Sequence, residues 1–170
     1  MSKLSARPCA VILDDDVEVG ELIGELAALA GFEPAVTQAP EAFFDEVAKR
    51  RPELIALDLQ MPDLDGIEVL RDLASSGCRS GLLIVSGMDK RTIASAELFG
   101  LQSGLRVLGT VRKPFDPASV LDQLRSAHKS SSRLTEADLL RAFENREMSL
   151  YYQPVLQHVG NHDWRIESVE

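Results

Sequence analysis

A chain of 170 residues is long enough for one domain with a hydrophobic core of its own, or one domain plus a fragment. Its formal net charge of −9 argues against a nucleic-acid-binding surface, which needs a basic patch, and suits a protein that gathers carboxylates around a cation. No apolar run approaches a membrane span, Met1 to Pro8 does not read as a signal peptide, and Cys9 and Cys78 stand in no metal-ligand spacing; the expectation is a cytoplasmic protein with reduced thiols and neither membrane nor nucleic acid as partner.

Ala10-Val11-Ile12-Leu13 is a short apolar run that ends abruptly in Asp14-Asp15-Asp16. Val17, Leu22, Ile23, Leu26 and Leu29 then recur at helical spacing up to Gly31, a stop signal at the C′ position. Ala35-Val36-Thr37 reads as a second strand, and Pro40 opens a helix with Phe43, Phe44 and Val47 on its inner face. Leu54-Ile55-Ala56-Leu57 is a third buried run and also ends in an acid, Asp58. After a loop punctuated by Pro62, Gly66 opens a helix through Ile67, Val69, Leu70 and Leu73. Leu82-Leu83-Ile84-Val85 is the fourth run, ending at Ser86. A helix from about Lys90 to Phe99 closed by Gly100, a strand near Val107 to Val111 running into Lys113-Pro114, and a helix from about Pro117 to His128 complete the unit.

Apolar runs without alternation mean strands buried on both faces, hence a parallel sheet, and crossovers between such strands are right-handed. The five repeats predict an α/β fold, a flavodoxin-like (βα)5 doubly wound parallel sheet in the order 2-1-3-4-5, with the site at the switch point between strands 1 and 3. Lys129 to Arg133 is polar and low in complexity and reads as a linker. Beyond it, Thr135 is placed to cap a helix carrying Leu139, Leu140 and Phe143. Leu150 to Leu156 looks like a strand interrupted by Pro154, Gly160-Asn161 like a turn, and Trp164 to Val169 like a return strand. A tail of about 40 residues is too short for a second independent core.

Functional groups in such a sheet collect at the carboxyl ends of the strands. Here those ends offer Asp14 and Asp15, then Asp58, Ser86 and Lys113, on strands only about 4.8 Å apart. Acids at strand ends also cap helices, and Asp16 is as well placed for that as for a site. Three convergent carboxylates repel one another unless a cation sits among them; a hard divalent ion fits, magnesium being usual where phosphate is the other partner. A carboxylate can attack phosphorus to form an acyl phosphate, a reaction that needs mainly positioning and charge neutralisation, which magnesium, a lysine and a hydroxyl would share.

The segments Val11-Ile12-Leu13-Asp14-Asp15-Asp16, Asp58-Leu59-Gln60-Met61-Pro62-Asp63-Leu64-Asp65-Gly66, Ile84-Val85-Ser86-Gly87 and Lys113-Pro114-Phe115, in that order, resemble the receiver domain of two-component response regulators over residues 8 to about 128. The resemblance implies that Asp58 is the phosphoacceptor for a sensor histidine kinase. It implies magnesium held by Asp14, Asp15, Asp58 and the backbone carbonyl of Gln60, with Asp15 the more direct ligand of the acidic pair. Ser86 would bond a phosphoryl oxygen, Lys113 would pair with the phosphoryl group, and the bond before Pro114 would be cis. Two positions depart from the pattern: Thr110 stands where the family usually has an aromatic switch residue, and Gly87 where alanine is frequent, which predicts a looser loop. The stretch Leu101 to Thr110 is also slightly longer than is common.

Leu139-Leu140-Arg141-Ala142-Phe143-Glu144 and Leu150-Tyr151-Tyr152-Gln153-Pro154-Val155 resemble the opening of an EAL domain, a TIM-type barrel that hydrolyses cyclic di-GMP with divalent metals. On that alignment Glu170 is the first letter of the EAL triplet. The expected organisation is then a receiver over 1–129, a linker over 130–134 and an incomplete EAL start over 135–170, with no phosphodiesterase activity of its own. The implied partners are the kinase, an EAL domain of the same or another chain, and a second copy in a homodimer. Two rival readings are a pseudo-receiver that serves only for docking or dimerisation, and a magnesium-dependent aspartyl phosphatase. The latter needs a second acid two residues after the nucleophile, where Gln60 stands. Among other residues, His128 is expected to serve its helix end, and Asp45, Glu46, Lys49 and Arg50 to form a solvated helix face.

Overall fold

The structure, a computed structural model, describes residues 7–62, 64–131, 155–158 and 164–167. The chain divides into two units, Met1–Ser132 and Arg133–Glu170.

In the first unit the five apolar runs become five strands, β1 (Cys9–Leu13), β2 (Glu33–Thr37), β3 (Leu54–Asp58), β4 (Gly81–Ser86) and β5 (Arg106–Arg112). All pair in parallel, in the order 2-1-3-4-5 that the unalternating runs predicted. The helices between and after them are α1 (Val17–Leu29), α2 (Pro40–Arg50), α3 (Gly66–Ser75), α4 (Lys90–Gln102) and α5 (Pro117–Ser131). The central strands are buried along almost their whole length because both faces of the sheet are covered. Successive side chains point to opposite faces, so Ala10 and Ile12 join Ile23 of α1 and Leu124 of α5, while Val11 and Leu13 join Phe43 of α2 and Leu70 of α3.

Three features differ from the sequence reading. Helix α4 does not close at Gly100 but runs on to Gln102. Gly100 lies inside the helix, where a Cβ would stand 2.9 Å from Val107 Cγ2; it is a packing glycine. The stop is Gly104, at φ 81°: its N–H donates to the Leu101 carbonyl and that of Leu105 to the Gly100 carbonyl, a Schellman cap. Helix α5 continues past His128 to Ser131, so the stretch assigned to a linker begins inside the helix; His128 and Lys129 in its last turn suit the negative end of the helix dipole. The His128 ring also meets Phe32 edge-on, with centroids 5.2 Å apart, and so ties α5 to the segment after α1. Third, Arg50 is more than a solvated residue. It pairs with Glu46 and with Glu33 at 3.1 Å and approaches Cys9 Sγ at 3.9 Å, linking α2 to β2 and β1.

The length noted near Leu101 to Thr110 is taken up by a bulge: Leu82 pairs with Val107 and Leu83 with Gly109, which leaves Leu108 as the extra residue. In the second unit, β6 (Val155–His158) and β7 (Trp164–Glu167) form the expected antiparallel pair, with His158 opposite Trp164. The predicted helix near Leu139, the residues Tyr151 to Pro154, the Gly160-Asn161 turn and Glu170 lie outside the described residues. Among the described residues no helix is long and apolar enough to cross a membrane.

A Gly104→Ala substitution tests the revised helix end. Nothing lies within 4 Å of the added methyl, so any cost is conformational, and forcing an L-residue into the left-handed region costs about 1–2 kcal/mol. Urea unfolding should show that loss with an unchanged slope; an unchanged midpoint would mean that the helix does not depend on this cap.

Candidate functional site

The carboxyl ends of β1, β3, β4 and β5 carry the residues that the sequence singled out. Asp14 follows β1 and is 1% exposed; its Oδ1 accepts from the Asp16 N–H at 3.1 Å. Asp58 is the last residue of β3, 3% exposed, and its Oδ1 accepts from the Gln60 N–H at 2.9 Å. Both carboxylates are thus aimed by the backbone that follows them. Lys113, just beyond β5, crosses to them: its Nζ lies 2.8 Å and 3.0 Å from the two oxygens of Asp14 and 2.7 Å from Asp58 Oδ2. The Lys113–Pro114 bond is cis, as expected.

Asp15, in contrast, is exposed, yet its carboxylate stands with those of Asp14 and Asp58 such that one oxygen from each lies within 4.8 Å of the others. Asp16 is a helix cap, accepting from the N–H groups of Glu18 and Val19 at 3.0 and 3.2 Å. Ser86 is fully buried at the end of β4, and its hydroxyl accepts from the Met88 N–H at 3.2 Å. Its carbonyl accepts from the Lys113 N–H at 2.9 Å. Thr110 is half-buried on β5 opposite Ile84, with Val111 facing α1 and α5, so the pleat turns Thr110 toward α4.

The loop after β3 is held down by Gly66. A Cβ there would stand 2.4 Å from the Leu59 Cα, so only glycine lets α3 start so close to the strand end. Asp65 caps α3 through the Ile67 N–H at 2.9 Å, and Gln60 pairs with Asp65 in a short antiparallel ladder. An open cleft of about 490 Å³ results, with Asp15, Asp58, Gln60, Met61, Gly87 and Lys113 among its walls. Met61, Pro62 and Gly87 were not singled out as cleft residues from the sequence. The signal for them was their position after strand ends, inside the segments that carry the family resemblance.

Burial pushes the Asp14 carboxyl above its ordinary range, an effect that the Lys113 ammonium opposes but does not overcome. For Lys113, burial acts downward, and the carboxylates of Asp14 and Asp58 together hold the ammonium above its usual value. Three carboxylates against one ammonium leave two formal negative charges, the amount that a divalent cation carries. The all-oxygen donor set of Asp14, Asp15 and Asp58 fits a hard ion such as magnesium.

Residues 10–125 match the family described as Response regulator receiver domain. Response regulator MprA from Mycobacterium sp. (strain KMS) is 30% identical over 122 residues, which cover 72% of this chain and 51% of that protein; the chain spans about half the length of this curated relative. A response regulator from Colwellia psychrerythraea, known from its crystal structure, is 32% identical with a TM-score of 0.65, over 74% of this chain and 99% of that one. The CheY-like receiver domain protein from Methanospirillum hungatei JF-1 has a TM-score of 0.64 over 76% of this chain and 100% of its own, and at 17% identity that likeness shows the fold alone.

Replacing Lys113 by Met should strand two buried carboxylates and cost on the order of 3 kcal/mol without magnesium. Added magnesium should narrow the gap, since a cation bound among Asp14, Asp15 and Asp58 stabilises only the folded chain. The measurement is urea unfolding of both proteins with and without the ion. Equal stability in its absence would show that the ammonium does not hold the carboxylates together.

Proposed function

From the premise that this chain belongs to the response regulator receiver domain family of two-component systems, we propose that Asp58 takes a phosphoryl group from a sensor histidine kinase. The observation that carries this reading is the Lys113 ammonium seated between Asp14 and Asp58 at 2.8 and 2.7 Å. Docking alone needs no such arrangement, and Gln60 in place of a second acid disfavours the phosphatase reading.

An Asp58 carboxylate oxygen attacks phosphorus as the bond from phosphorus to the kinase imidazole nitrogen breaks, and the imidazole keeps the electron pair. Lys113, already in contact with Asp58, pairs with a phosphoryl oxygen as charge arrives there. The Ser86 hydroxyl, whose oxygen accepts from the Met88 N–H, donates its own hydrogen to another phosphoryl oxygen. Asp14, Asp15, Asp58 and the Gln60 backbone carbonyl would hold magnesium, which supplies neutralising charge beside the phosphoryl group. With Thr110 in the place of an aromatic, the change at Ser86 leaves the domain by a face other than the one such a ring would serve.

The wider reading places the protein in the cytoplasm, with the receiver ending with α5 and an EAL-type cyclic di-GMP phosphodiesterase, of the same or a partner chain, as its output. It is supported by the Tyr151-Tyr152-Gln153-Pro154 pattern and by an antiparallel strand pair after it. A homodimer is the further pairing proposed.

The test is incubation with acetyl phosphate and magnesium, read by intact mass, beside Asp58→Asn. One phosphoryl adduct that needs both magnesium and Asp58 is the expected result. No adduct from either acetyl phosphate or a histidine kinase, together with no magnesium binding, would leave the docking module as the better reading.

A further inference from the structure

We propose that the amino-terminal edge of the sheet, at the opposite end of the strands from the Asp58 cleft, is a docking surface for an acidic segment of a partner protein. No residue of the cleft takes part in it, so the surface stands whether or not Asp58 accepts a phosphoryl group.

Four strands carry the cleft residues at their carboxyl ends, and the same four have an arginine at their amino ends. Arg7 precedes β1, Arg51 precedes β3, Arg79 precedes β4 and Arg106 opens β5. These strands lie side by side in the order 1-3-4-5. Backbone bonds hold their lead-in segments in register: the Glu53 N–H donates to the Cys9 carbonyl at 3.0 Å, the Gly81 N–H to the Glu53 carbonyl at 2.8 Å, and Gly81 pairs with Arg106. The Ser80 hydroxyl also donates to the Pro52 carbonyl at 2.5 Å. The arginine positions therefore form a row across the edge, three strand spacings or roughly 14 Å long.

All four are exposed, and among the described residues none of them is in an ion pair. The acids nearby are otherwise engaged. Glu33 and Glu46 pair with Arg50, and Glu53 accepts from the Cys9 N–H at 2.7 Å. Helix ends do not account for the row, although bases favour them. Arg51 caps α2, but Arg79 and Arg106 lie beyond the ends of α3 and α4, and Arg7 precedes every helix. In a chain with a net charge of −9, this edge is a local field of opposite sign, and it selects an anionic partner.

Carboxylates are the anions that fit. The guanidinium fork takes a carboxylate through two parallel N–H···O bonds. Alternate residues of an extended peptide share a face, so three acids at alternate positions span about 14 Å, the length of the row. A nucleic-acid strand calls for aromatic faces on which its bases stack, and no described aromatic residue of the first unit is exposed.

The experiment titrates the full chain into a fluorescein-labelled peptide of alternating Glu and Ser, about ten residues long, and reads anisotropy. Binding is expected, with none to the same peptide carrying Gln for Glu. It should weaken roughly fivefold or more as salt rises from about 50 to about 300 mM. The double variant R79E/R106E should weaken it about tenfold or more, whereas K90E/R91E, which changes the net charge equally but on α4, leaves it unchanged. Circular dichroism checks that both variants fold. In the unmodified chain the peptide should shift the amide NMR signals of Arg7, Glu53, Ser80 and Arg106 and leave those around Asp58 in place; should R79E/R106E fail to fold, these shifts decide alone. No binding at the lower salt, equal weakening by both double variants, shifts centred on the cleft, or a single-stranded oligonucleotide that binds more tightly than the peptide would each overturn the proposal.

Discussion

One ammonium group holds the functional end of this domain together. Asp14 and Asp58 are almost wholly buried at the ends of adjacent strands, where two carboxylates without a counter-charge would repel and would lack solvation. Lys113 reaches both from the end of β5, two strands from Asp58 and three from Asp14, with its own side chain only 19% exposed. That reach requires the strand order seen here. In any order that separated β1 from β3, one lysine could not span the two acids, and the charge cluster would lose its internal balance.

The packing below the site serves the same end. Continuous apolar strands, covered on both faces by helices, give a rigid sheet whose strand ends cannot drift apart. Local devices then refine the edge. Asp16 caps α1, Asp65 caps α3, and Gly66 lets the loop after β3 press against the helix that follows. The acids near the site therefore have different tasks although their residue types are the same: Asp65 caps a helix, Asp15 and Asp58 line the cleft, and Asp16 does both.

How much of this was legible in the sequence follows from the range of each interaction. The strands were readable because burial on both faces leaves runs such as Leu54 to Leu57 with no polar interruption. The site was readable because each run stops at a polar residue and a parallel sheet aligns those stops. The helix end near Gly100 was not, because Gly100 and Gly104 are equivalent as local signals, and only the contact with Val107 separates a packing glycine from a capping one. The serine-rich end of α5 reads as a linker from composition, yet basic residues in its final turn favour helix. Gln60 and Gly87, from two loops distant in sequence, meet as walls of one cleft, and nothing local to either announces it.

The hydrogen bond from the Lys113 N–H to the Ser86 carbonyl is a single rung of backbone, but it joins the two residues whose side chains have separate tasks. Their main chains form a yoke, so that a displacement of one end drags the other. In genetic terms the two positions are bound to show epistasis: a substitution at Ser86 that moves its backbone also re-aims the lysine, and the reverse holds. The contributions of hydroxyl and ammonium therefore cannot be read from single variants at either position, and only a cycle that varies both can separate them.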